Sequence, residues 1–141
     1  MSQRAAVLFV NEAFYAAFRE RDLETMEDLW ARRAPVACIH PGWQALVERE
    51  EILASWQAIL GNPDSPEIRC RNAEAFVLGE SAFVVCYEVL GASVLVATNV
   101  FVQEDGAWRL VHHQAGPCNA PPDLEEDEPE PGGGEFPGRI Q

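Results

Sequence analysis

His112 and His113 stand side by side in the stretch Gly106-Ala-Trp-Arg-Leu-Val-His-His-Gln-Ala-Gly-Pro117. They are two of the chain's three histidines. Imidazole changes charge near physiological pH, which suits it to move protons as a general acid or base. The stretch reads as a β-strand, and neighbouring strand residues point to opposite faces. One histidine of the pair therefore faces inward and the other outward. Hydropathy alone groups Trp108, Leu110 and His112 on one face. For either histidine the competing reading is a place on the sheet surface or at an interface. The third histidine, His40, closes the apolar run Val36-Ala-Cys-Ile-His40 just before Pro41-Gly42.

Other polar groups interrupt apolar strands. Asn99 sits inside Val94-Leu-Val-Ala-Thr-Asn-Val-Phe-Val102, and a buried amide there needs partners. Tyr87 and Glu88 break the run 83–90. Alternation puts Val85, Tyr87 and Val89 on one face and Val84, Cys86, Glu88 and Leu90 on the other. Trp43 belongs to a bulky loop, 41–47, that reads as a lid over a pocket mouth. Trp56 could line that mouth, although its place on a helix stripe suits core packing as well.

Composition narrows the chemistry. The chain has 141 residues and a net charge of −13, with 23 acids against ten bases, every base an arginine. Without lysine there is no Schiff-base lysine and no P-loop. An acidic chain is a poor binder of phosphate backbones, so no nucleic-acid partner is expected. The four cysteines, Cys38, Cys70, Cys86 and Cys118, form no CxxC and read as reduced thiols. A metal site drawn from Cys38, His40, the histidine pair and Cys118 matches no zinc spacing, and neither metal nor cofactor is expected. A Cys38 or Cys118 nucleophile lacks an orienting third group. The N-terminal apolar run meets Asn11 and Glu12 too soon for a signal peptide or membrane span, so a cytoplasmic protein is expected.

The elements that must position these residues fall into two halves. Helical spacing predicts a helix over 4–20 with Val7, Val10, Phe14 and Phe18 on its inner face and Ser2 as N-cap. Asp22 caps a short second helix, with Leu23, Met26, Leu29 and Trp30 inward. Residues 36–40 read as a short strand. A third helix over 48–60 carries acids in its first turn and ends at Gly61-Asn-Pro63. Residues 67–78, 82–90, 94–103 and 108–115 are β-branched and aromatic runs joined by glycine-containing hairpin connections. Helices followed by an antiparallel meander indicate an α+β domain, 1–118. Residues 119–141 hold seven acids against Arg139 and are rich in Pro and Gly, so they read as a disordered tail.

This order resembles the nuclear-transport-factor-2-like superfamily, and within it the SnoaL-like polyketide cyclase and ketosteroid isomerase branch. The resemblance spans about residues 4–118. It rests on Arg21-Asp-Leu-Glu-Thr-Met-Glu-Asp-Leu-Trp30, on Ile39-His-Pro41, on Arg49-Glu-Glu-Ile52 and on Trp108-Arg-Leu-Val-His-His113. It implies a curved antiparallel sheet wrapping the N-terminal helices into a cone, a pocket at the open end, and a homodimer through the sheet's outer face. It places His40 where the isomerase branch carries its general base, although a gapless count puts Cys38 there. That branch holds an oxyanion with a helix-one tyrosine and a protonated acid on the penultimate strand. Here Phe14 and Asn99 match those positions, with Tyr15 one residue off. The aligned faces put Tyr87, His113 and Ala115 inward and His112 outward. The implied function is proton transfer, of isomerase or lyase type, on a small hydrophobic carbonyl compound. His40 or His113 would move the proton, and Asn99 and Tyr87 would hold the oxyanion. The alternative is a non-catalytic ligand-binding or dimerisation module.

Overall fold

The computed structural model describes residues 1–126. Helix α1 spans Gln3–Glu20, α2 Leu23–Leu29, strand β1 Ala37–Ile39 and α3 Arg49–Gly61. Strands β2 (Arg69–Leu78), β3 (Ser81–Leu90), β4 (Ser93–Glu104) and β5 (Ala107–Pro117) complete it. Ser2 caps α1, its hydroxyl accepting from Ala5 N at 3.0 Å. Asp22 caps α2 through Thr25 N at 3.1 Å. The turn between those helices is Arg21, left-handed at φ 56°. Its guanidinium crosses to the carbonyls of Leu60, Asn62 and Ser65 and so ties the end of α1 to the end of α3.

The sheet has the order β1-β5-β4-β3-β2. Strands β2 to β5 form the expected antiparallel meander on two-residue turns. In the last of these, Asp105 and Gly106 are both at positive φ. The sheet as a whole is mixed, because β1 lies parallel to β5, Cys38 beside His113. The expected antiparallel meander is thus joined by the short strand as one parallel member. After β1 the chain passes through α3 and three strands, and so returns to β1's side running the same way.

Two bulges set which side chains reach the interior. In β5, Val100 faces His112 while Phe101 faces Leu110, so Val111 is an extra residue. A bulge shifts the alternation by one. Trp108 and Leu110 are buried before it, and His113 and Ala115 after it. In β2 the break falls between Arg71 and Glu74, with Asn72 at φ 56°. Asn72 also receives the chain beyond β5. Its N–H donates to Glu125 Oε1 at 2.8 Å, its side-chain amide to Asp123 O, and Glu125 N donates back to its Oδ1. Asp123 and Glu125 thus rest on the edge strand, in a stretch, 119–126, that carries no helix or strand. The rest of the tail lies outside the described residues.

The core lies between the helices and the concave face of the sheet. Its largest fully buried side chains include Trp30, Trp56, Tyr15, Phe14 and Phe101. Among the described residues no helix is long and apolar enough to cross a membrane.

Candidate active site

The sheet register brings one row of side chains under α1: Cys38, His113, Asn99 and Val84 sit side by side on β1, β5, β4 and β3. Asn99 is fully buried, and three polar neighbours fix its orientation. Its amide nitrogen donates to Asn11 Oδ1 at 2.9 Å and to the Tyr15 hydroxyl at 3.2 Å. Its carbonyl oxygen is therefore the acceptor that faces His113 Nδ1 at 2.6 Å. Nδ1 must carry the proton, which leaves the lone pair of His113 on Nε2. Tyr15 in turn donates to Glu88 Oε2 at 2.6 Å. Glu88 Oε2 lies 3.8 Å from His113 Nε2, beyond hydrogen-bond reach.

His40 is oriented the same way from the other wall. The Ser55 hydroxyl donates to Ile52 O at 2.7 Å, so it accepts from His40 Nε2, 2.8 Å away. The lone pair of His40 is then on Nδ1. The imidazole is held edge-on between Trp43 and Trp56, each 4.8 Å from it. The turn at Pro41-Gly42, with Gly42 at φ 84°, brings Trp43 N onto His40 O and folds the indole back over the ring. Trp43 is 47% exposed. The two imidazoles are 6.5 Å apart, with Phe14 5.0 Å and Trp56 6.0 Å from His113.

Burial sets the charges. Desolvation lowers His40 to about 4 and His113 to about 3, so both rings are neutral at physiological pH. The same effect raises Glu88, which keeps its proton to higher pH than an exposed carboxyl. Burial, then Glu88, push Tyr15 well above its usual value, so it remains a donor. Desolvation pushes Cys38 up to about 12, which removes it as a nucleophile because the thiolate is the reactive form. Among the described residues, no three His, Cys, Asp or Glu side chains are grouped to hold a metal ion.

Against the sequence expectations, His40, His113, Asn99, Phe14 and Trp56 are all interior. Two assignments are corrected. Tyr87 does not enter: it pairs with Val96 on the outer face, while Val84, Cys86 and Glu88 point in. The alternation of β3 was legible, but its phase depends on the turn before it. The carboxyl is tolerated inside because Tyr15 bonds it. His112 is half-buried on the outer face, turned there by the Val111 bulge. Phe14 and Tyr15 both lie inside, and it is Tyr15 that carries the polar contact.

Sequence reasoning missed Asn11, Ser55 and the inward role of Glu88. Asn11 had a signal, being the one polar residue at helical spacing between Val7 and Phe14. Ser55 had none beyond its place beside Trp56.

Residues 7–118 match the SnoaL-like domain family. The chain belongs to that family. The SnoaL-like domain is 28% identical over 112 residues to the F-box protein SKIP8 of Arabidopsis thaliana, covering 78% of this chain. It spans about half, 48%, of that relative's length. Among solved structures it is 32% identical to a candidate dehydratase of the NTF2-like family from Streptomyces avermitilis. The TM-score is 0.73, with 82% of this chain and 96% of that chain covered. A candidate calcium/calmodulin-dependent protein kinase type II association domain from Thiobacillus denitrificans is 31% identical at a TM-score of 0.66, covering 78% and 93%. An NTF2-like protein of unknown function from Pseudomonas putida, 18% identical, shares the fold at 0.70.

Proposed function

We propose that this domain binds a small hydrophobic carbonyl compound and moves a proton on it, as an isomerase or a dehydratase-like lyase. The observation that carries this is the fixed tautomer of His113. Its Nδ1–H is spent on Asn99 at 2.6 Å, so Nε2 keeps its lone pair, on a ring packed against Phe14 and Trp56. Neutral imidazole is the form that can accept a proton from carbon. A base of such low pKa takes that proton only if the new charge is balanced nearby. Glu88 Oε2, 3.8 Å from Nε2, is placed to balance it. His40 supplies a second neutral ring, which packs against the half-exposed Trp43. The candidate dehydratase from Streptomyces avermitilis supports the lyase form of this reading.

The test is deuterium exchange at the carbon next to the carbonyl, in D2O, across a panel of small ketones and hydroxyketones. His113→Asn keeps a donor for Asn99 and deletes Nε2. A general base contributes about 10²–10⁴-fold, so the variant should lose about that much exchange. Equal exchange by both proteins would remove His113 from the reaction.

A second reading is a non-catalytic ligand-binding or dimerisation module. It is supported by the outer sheet face, where Phe76, Leu78 and Val96 are exposed and Phe76 stacks on Phe83 at 4.8 Å. Such a face suits a homodimer through the sheet. On this reading, ligands raise the melting temperature but leave unchanged.

A further inference from the structure

A part-open cavity of about 190 Å³ lies where the end of α1, the end of α3 and the chain leading into β2 meet. Phe18, Ile59 and Leu60 give it apolar walls, and Arg19, Arg21 and Glu67 are its charged groups. Two of the chain's ten arginines thus meet in one cavity of a molecule whose net charge is −13. Arg21 is held by carbonyls alone. Its Nη1 donates to Leu60 O at 2.9 Å and Asn62 O at 2.7 Å, and its Nη2 to Ser65 O at 3.2 Å. A guanidinium has five N–H donors, so Nε–H and one Nη2–H remain. The carbonyls fix the position of the group and leave its charge without a carboxylate partner among the described residues. Arg19 is lightly engaged as well: its contact with Glu12, at 3.4 Å, is at the long edge of hydrogen bonding. Glu67 opposes the two arginines, but it is paired with Arg69 at 3.3 Å.

We infer that this cavity is a binding site for a small aromatic carboxylate of the size of benzoate, separate from the residues proposed for proton transfer. Size sets the body of the ligand: an apolar cavity of about 150 Å³ holds benzene, so this one admits a single ring. Chemistry sets its head. A carboxylate accepts hydrogen bonds only, and it matches the planar fork of a guanidinium. An inorganic anion uses the arginines but not the apolar walls, and a neutral ring uses the walls but not the arginines. The aromatic carboxylate uses both. Arg21 is already immobilised by three carbonyls, so little further side-chain freedom is lost when it binds.

The probe is benzoate, titrated into the full chain at neutral pH by calorimetry. Benzamide, which lacks the charge, and acetate, which lacks the ring, are the controls. Benzoate should bind more tightly than either, and added salt should weaken it. Arg21 also clamps α1 to α3, so its removal tests folding as much as binding. The variants are therefore Arg19→Gln and Glu67→Gln, each checked by its melting curve. Arg19→Gln should weaken benzoate about tenfold, and Glu67→Gln should tighten it, because it deletes the opposing charge. In a ¹³C–¹H spectrum the ring should shift the methyl resonances of Ile59 and Leu60 and leave those of Val84, on the sheet, in place. Four results overturn the inference: no binding of benzoate at millimolar concentration, equal binding of benzamide, affinities unchanged in both variants, or methyl shifts that miss Ile59 and Leu60. Deuterium exchange at His113 and benzoate binding here are read separately, so either reading can fail while the other stands.

Discussion

Each interior histidine owes its reactive nitrogen to a neighbour's hydrogen. Ser55 spends its proton on Ile52 O and so obliges His40 to donate from Nε2. Ser55→Ala should free the other tautomer and move the ¹⁵N shifts of the His40 ring. Acid should unfold the domain early. The unfolded histidines bind protons near 6.5, whereas folded His40 holds out to about 4. The unfolded state then binds more protons between those values, and stability falls as pH drops through that window. Melting temperature against pH checks this, and His113→Asn should flatten the fall. Glu88 acts with the opposite sign. Its raised folded value means stability is lost as pH rises past the unfolded carboxyl range. Glu88→Gln keeps an acceptor for Tyr15, and its melting temperature at neutral pH should exceed that of the wild type.

At the scale of elements, Glu104 is the residue on which the helix-to-strand passage depends. Its carboxylate accepts the N–H groups of Arg32 and Arg33 at 2.8 and 2.9 Å, and Ala34 as well. Those bonds hold it down to about 2. Charge-assisted bonds of this kind are worth about 1.5–3 kcal/mol each, with losses that do not add. Glu104→Ala should cost about that range in chemical denaturation. The Val111 bulge shows how far sequence patterning reached. Hydropathy grouped Trp108, Leu110 and His112 on one face, and the family resemblance grouped His113 and Ala115 inward. The first holds for Trp108 and Leu110 but not for His112, and the second holds beyond the one extra residue. Strict alternation cannot express both, and a bulge leaves no obligatory residue type in the strand itself.

At the scale of the whole molecule, the convex face of the sheet remains to be covered. We expect a homodimer there. Sedimentation equilibrium should show a dimer, and Val96→Glu should shift it to monomer while the melting curve stays cooperative. A monomeric wild type at micromolar concentration would exclude that interface. The strap from Cys118 to Glu125 crosses to Asn72 on the edge strand. Asn72→Ala should increase proteolytic cutting after residue 118 without altering the core.

By itself the sequence determined the element order and the α+β class. Local rules settle these: helical period, caps, glycine turns and the apolar strand runs are written in consecutive residues. Tertiary structure alone decided that Tyr15 and Glu88, not Tyr87, complete the polar cluster, and which ring nitrogens stay bare. Those facts arise from contacts between residues 73 and 84 positions apart, Tyr15 with Glu88 and Asn99, set by how α1 lies across the sheet. Nor could the histidine pair announce which member faces in, because one bulged residue between Leu110 and His112 reverses the answer.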